Sequence, residues 1–188
     1  MTIKHHVSAA ILFAVLFASP VQAQKLFTRN GIVSFNATAP NSPENIKAVT
    51  KSGTCIWDKS SGVVEMAVLV KGFLFERSLM QEHFNENYLE SSKYPKATFS
   101  GKLDNINAVD IGKDGTYKVN ANGTFTMHGV SKTIAVPITF TVKGGKVSAA
   151  VNFSVLLTDY DIEIPSLVAD KLSKKADISI ATNLEPMK

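Results

Sequence analysis

From about residue 31 onward, apolar and polar side chains alternate with a period of two over most of the chain, the mark of strands with one face turned to a core. Val147, Ala149, Val151, Phe153, Val155 and Leu157 share one face, while Ser148, Asn152 and Ser154 take the other. Ile134, Val136, Ile138, Phe140 and Val142 alternate in the same way with Thr133, Thr139 and Thr141. Gly144-Gly145 stands between these two runs, and a two-residue Gly-Gly link is a strong hairpin signal.

Upstream, Tyr117, Val119, Ala121, Phe125 and Met127 face one way, and His128-Gly129 closes the run. A turn at Asn122-Gly123 would leave two strands shorter than the usual five or six residues, so one long strand containing a glycine is expected. Further strands are expected over 31–38, 49–57, 63–71, 97–103 and 176–182, with Lys59-Ser60-Ser61-Gly62 as a tight turn. One segment departs from the alternation. Ser78 and Gln81 have capping-box spacing, and Met80, Phe84 and Tyr88 then recur every four positions with Leu79 and His83 beside them. The spacing predicts a helix over 79–90, capped by Ser78 and packed by one apolar stripe on the strands. Tyr94-Pro95 ends the stretch after it, because a residue before proline is pushed out of the helical region.

About eight strands joined mostly by short turns can close into an up-and-down barrel or stack as a sandwich, and the pattern alone does not separate the two. An outer-membrane barrel is disfavoured, because the outward face is Lys, Asn, Ser and Thr, where lipid contact needs an apolar band. The apolar face therefore points inward, toward either a solid core or a cavity. Val, Ala and Thr at inward positions leave more room than Leu or Phe would.

The N-terminus changes the picture by compartment. Lys4, an apolar run from Val7 to Ala18, and small residues at Val21 and Ala23 read as a signal peptide over 1–23, with the mature domain at 24–188 and a periplasmic or secreted location. The run is too short for a comfortable membrane span of roughly 20 residues. Cleavage removes Lys4 and no acid, taking the formal net charge from +4 to +3. Basic and acidic residues are interspersed, without a basic stripe interleaved with aromatics, so nucleic acid is an unsuitable partner. Cys55 is the single cysteine, which removes any intramolecular disulfide and leaves burial to stabilise the fold. With no linker or repeat, one domain is expected.

Candidate chemistry is sparse. After cleavage only His83 and His128 remain, and no serine elbow, phosphate loop, paired-cysteine motif or metalloprotease helix is present. A metal site from His83, His128 and Glu82 lacks ligand spacing, and His128 next to Met127 reads as a strand-end histidine beside a core methionine. No catalytic residue, metal or cofactor is therefore assigned.

Two stretches carry a family resemblance: Leu79-Met80-Gln81-Glu82-His83-Phe84 followed by Tyr94-Pro95-Lys96-Ala97-Thr98-Phe99, and Gly123-Thr124-Phe125-Thr126-Met127-His128-Gly129-Val130-Ser131-Lys132. Together they resemble the YceI-like, polyisoprenoid-binding proteins over nearly the whole mature chain. The resemblance implies an all-β, eight-stranded antiparallel, lipocalin-like barrel with one helix packed on it and an apolar tunnel holding a polyprenyl chain. Two departures stand out. The segment Phe27 to Phe35 lacks the family's Trp, Asp and His, and Asp159-Tyr160-Asp161 replaces Asp, an aromatic and Gly.

The function expected is an exported carrier or sequestering protein for an isoprenoid or other apolar lipid, without covalent chemistry. Residues expected at the ligand are Met66, Val68 and Phe99 on strands flanking the helix, and Met80, His83 and Phe84 on the helix. Val119, Phe125 and Met127 join them from the next strand, then Val136, Ile138 and Phe140, then Val151, Phe153 and Val155. His83 is expected at the polar end. The alternatives are a lipid-modifying enzyme using His83 or His128 as base, and a structural or stress-related barrel with a filled core. A homodimer is compatible with each.

Overall fold

The structure is a computed structural model describing residues 25–187; the expected signal segment 1–23 and the junction at Gln24 lie outside the described residues. In chain order the elements are β1 (Lys25–Thr38), β2 (Lys47–Asp58), β3 (Val63–Leu69), β4 (Leu74–Phe75), α1 (Ser78–His83), β5 (Lys96–Leu103), β6 (Gly115–Met127), β7 (Val130–Lys143), β8 (Lys146–Leu156) and β9 (Leu172–Pro186). Every paired neighbour is antiparallel, the sheet runs β1-β9-β8-β7-β6-β5-β3-β2, and a β1–β2 ladder closes it into a barrel. β4 adds two residues to one end of β2, at Ala48 and Val49.

Closure depends on one coiled strand that serves two neighbours. β1 changes register at Thr28, Gly31 and Val33 against β2, and again between Phe27 and Ile32 against β9. Bulges of this kind raise the local twist and bend a strand. At the bend Gly31 faces Gly53, and a Cβ on Gly53 would lie 2.9 Å from the Gly31 carbonyl oxygen, so the close approach needs glycine.

The connections sort to two ends. The turns at 59–62 and 144–145, the loop 104–114 and both ends of the described chain lie at one end, the floor, where the Met187 amide donates to the Lys25 carbonyl at 2.9 Å. The connection 39–46, the excursion 70–95, the turn 128–129 and the loop 157–171 lie at the other. Gly144 and Gly145 have φ of 56° and 74°, as a two-residue hairpin turn requires.

The helix differs from expectation in two ways. Its cap is Arg77, with extended φ and ψ and no side-chain cap bond, and Ser78 is already helical. The Gln81 amide bonds the Arg77 carbonyl at 3.2 Å, and the Gln81 side chain instead accepts from the Phe75 amide at 3.3 Å, so no capping box forms. Six α-helical residues then give way to a π-helical turn, Phe84–Tyr88, in which the Leu89 amide bonds the Phe84 carbonyl at 2.9 Å. The wider turn places Leu89, with Phe84, among the buried residues of the upper core, while Tyr88 is half-buried and Leu79 is exposed.

Two buried clusters result. At the floor Trp57 and Phe140 stack with centroids 4.5 Å apart among Leu26, Val64, Leu103, Val119, Ala121 and Leu184, and the 104–114 loop tucks Val109 against them. At the upper end Phe84 meets Phe35, Phe73 and Phe75 with centroids at 5.6, 5.7 and 4.9 Å, and Tyr160 and Ile162 pack in from the 157–171 loop.

Candidate functional site in the barrel interior

Between the two clusters the interior is hollow. A cavity of about 110 Å³ runs from Phe84 and Leu89 at the upper end to Trp57, Phe140 and Leu184 at the floor. Its wall is made by inward positions of the strands, among them Phe35 and Val33 of β1, Cys55 of β2, Phe99 of β5, and Ile178 and Ile180 of β9. An engineered apolar cavity of about 150 Å³ stays dry and takes up benzene, so this volume suits a ring or one short hydrocarbon unit without movement.

The structure brings together at the cavity Met66, Val68, Phe84, Phe99, Phe125, Met127, Val136, Ile138, Phe140, Val151 and Phe153. Four residues expected there lie elsewhere. Val119 is packed in the floor cluster and Val155 in the upper one. Met80 is half-buried on the helix away from the wall. His83 is exposed, with Nδ1 3.4 Å from the Asn87 side-chain oxygen, and so does not meet a polar end inside the barrel. A strictly helical period does not show that α1 turns His83 outward. Sequence reasoning also passed over Trp57, Cys55, Phe35, Ile178 and Ile180, which period-two alternation on β1, β2 and β9 could have supplied, and Leu89, which only the π turn places.

The polar groups at the interior are few and occluded. Burial pushes the Cys55 thiol up to about 12, leaving a neutral small side chain at neutral pH. The Trp57 indole nitrogen and the Thr182 hydroxyl are buried without a hydrogen-bond partner. Among the described residues no group of three His, Cys, Asp or Glu side chains could hold a metal ion.

Charged residues collect outside the upper end. Glu44 accepts from Lys171 at 3.0 Å and lies 3.8 Å from Arg77, tying the 39–46 connection to the 157–171 loop and to the start of α1. The Lys171 hydrogen bond and charge hold the Glu44 carboxyl below its ordinary value, with Arg77 adding to them against desolvation. His128, at φ 53°, donates Nδ1–H to the Tyr160 carbonyl at 2.9 Å, so that nitrogen carries the proton, and its Nε2 lies 3.4 Å from Glu90. The Tyr94 ring stands edge-on to His128 with centroids 4.8 Å apart. It also packs over Gly129, where a Cβ would clash with Tyr94 Cε1. The Tyr-Pro and His-Gly stretches of the sequence thus meet in one clasp. Burial, with Asp159 adding, raises the Tyr160 phenol.

A family model described as "YceI-like domain" matches residues 22–184. A search of curated sequences finds no match. Among solved structures, a polyisoprenoid binding domain from Saccharophagus degradans has 12% identity and a TM-score of 0.72, with 88% of this chain and 100% of that chain covered. BcnA of Burkholderia cenocepacia has 17% identity and a TM-score of 0.65, over 82% and 96% of the two chains. The YceI protein of Campylobacter jejuni has 19% identity and a TM-score of 0.55, over 77% and 88%. At these identities the likeness is one of fold.

Proposed function

The chain belongs to the YceI-like domain family, and we propose that it carries or sequesters a polyisoprenoid or similar apolar lipid in its barrel, outside the cytoplasm and without covalent chemistry. The observation that carries this reading is the apolar cavity running most of the barrel's length between two packed ends. Such a wall recognises hydrocarbon and little else. Each buried CH₂ contributes about 0.8 kcal/mol, so one isoprene unit gains several kcal/mol and a chain of modest length binds without an ionic contact. Selectivity then comes from width.

The ligand class is supported by the description of the Saccharophagus degradans relative as polyisoprenoid binding. Export is supported by Lys4, the apolar Val7–Ala18 run and the small residues before Gln24. No described helix is long and apolar enough to cross a membrane.

One preparation tests both parts. Protein purified without detergent from the exported fraction should have an intact mass beginning at Gln24, and its organic extract should yield a stoichiometric isoprenoid by mass spectrometry. An extract without lipid from protein that then takes up no added prenyl chain would remove the carrier function.

A further inference from the structure

The barrel wall is not hydrogen-bonded all the way round. β7 pairs with β6 along its whole length, from Gly115↔Val142 to Met127↔Val130. Its ladder to β8 covers only Ile138↔Val151 to Lys143↔Lys146. Beyond that point β8 continues on β9 alone, from Asn152↔Ser179 to Leu156↔Lys175. Residues 130–137 and 152–156 therefore face one another across a seam without a ladder, and it opens at Pro137, which has no N–H to continue one. Val136 and Phe153, inward residues on its two sides, both line the cavity. The upper edge of the seam is closed by the His128–Tyr160 bond and by the Tyr160 ring packed on Phe125 with centroids 5.5 Å apart.

A second interruption lies between β2 and β3, whose ladder stops at Thr54↔Ala67, but the chain covers it with its own excursion. Val70 is buried there, and a Cβ on Gly72 would lie 3.0 Å from the Ser52 hydroxyl and 3.1 Å from that of Thr50. β4 extends β2 above it. Across the β7–β8 seam the start of the 157–171 loop packs on both strands at the upper edge, and among the described residues no strand pairs over the rest of it.

Two constraints meet at this seam. The cavity, at about 110 Å³, is too small for a polyprenyl chain unless the wall parts, and parting it along a laddered pair breaks ladder hydrogen bonds. The Trp57 and Thr182 polar atoms are covered and the wall is almost wholly apolar, so a ligand's hydroxyl or carbonyl finds little to bond there, and burying such a group unpaired is costly. Unladdered strand backbone offers N–H and C=O groups at the cavity's edge.

Resting on the carrier reading, we propose that the upper half of the β7–β8 seam is the portal of the barrel, where the hydrocarbon chain passes laterally between strands and where its hydroxyl or carbonyl end stays, bonded to strand backbone. The helix-covered end remains shut during loading.

Cysteine tethers test this on the full mature chain. Ala135→Cys with Ser154→Cys places two outward thiols across the seam, to be joined by dibromobimane. Thr141→Cys with Ser148→Cys, partners in the intact ladder, is the first control, and Glu44→Cys with Arg77→Cys, which pins α1, is the second. Uptake of dansyl-labelled geranylgeraniol is followed by stopped-flow fluorescence before and after tethering, each untethered variant serving as its own folding control. If the seam variant does not fold, Pro137→Cys with Asn152→Cys carries the same test one step lower. The expected result is loss of uptake on tethering the seam and unchanged uptake on tethering either control. Uptake through a tethered seam at the untethered rate, or loss on pinning α1, overturns the portal while leaving the carrier reading intact. Wild-type protein that takes up no probe overturns both.

Discussion

At the floor of the barrel, Trp57, Ala121 and Phe140 are 1, 0 and 2% exposed, whereas further up the same inward faces Met66, Phe99, Val151, Phe153 and Ile180 are only half-buried. Both regions follow one alternation. An inward apolar side chain on a closed barrel that is still half-buried has empty space beside it. The floor is filled because an indole stacks on a phenyl ring and a loop adds Val109 from below; higher up, Val, Ala and flexible Met positions stand between the Phe and Ile side chains of the wall and leave space among them. Periodicity decides which face is interior, and side-chain volume with end closure decides whether that interior is solid.

The largest expected effect breaks the floor. Trp57→Ala removes its largest fully buried side chain and should cost about 3–5 kcal/mol by chemical denaturation. Raising the pH probes the wall next. An unfolded chain releases the Cys55 proton near its ordinary value of 9.0, while the folded protein keeps it to about 12. The raised thiol therefore contributes stability that is fully present below pH 9, and the loss should grow between these two values, reaching the order of a few kcal/mol at the upper one. Cys55→Ala should flatten that alkaline limb. Overpacking then separates the two regions directly. Ala121→Leu at the floor should cost about 1–3 kcal/mol, whereas Val151→Trp, beside the cavity, should cost under about 1 kcal/mol in delipidated protein. The smallest effect is Ser78→Ala: because Ser78 is inside the helix without a cap bond, the unfolding free energy from chemical denaturation should change by no more than about 0.5 kcal/mol.

Much of the fold was legible in the chain. The inward faces of β6, β7 and β8, the Gly144-Gly145 hairpin and the long strand through Gly123 all follow from alternation, and two short stretches carried the family. What was not legible depends on contacts distant in sequence or on local departures from ideal geometry. Closure into a barrel rests on the Gly31–Gly53 approach and the bulges of β1, which alternation does not encode. The π turn at Phe84 brings in Leu89, and α1 leaves His83 in solvent, so a purely 3.6-residue period misplaces both. Asp161 takes φ 55° and holds a left-handed turn, a conformation that Asp tolerates better than most residues and that alternation does not reveal. The floor was missed because Trp57 and Phe140 sit 83 residues apart and only the closed barrel stacks them.

The hollow interior is tested most directly by titrating delipidated wild type and Val151→Trp with dansyl-labelled geranylgeraniol while recording the denaturation midpoint of each empty protein. The predicted result is saturable one-to-one uptake by wild type, loss of uptake by Val151→Trp, and nearly equal midpoints, because the indole occupies space that was open. A wild type that binds nothing, together with a Val151→Trp variant destabilised by about 1–3 kcal/mol, would mean that the interior is packed like the floor and that the barrel carries no lipid.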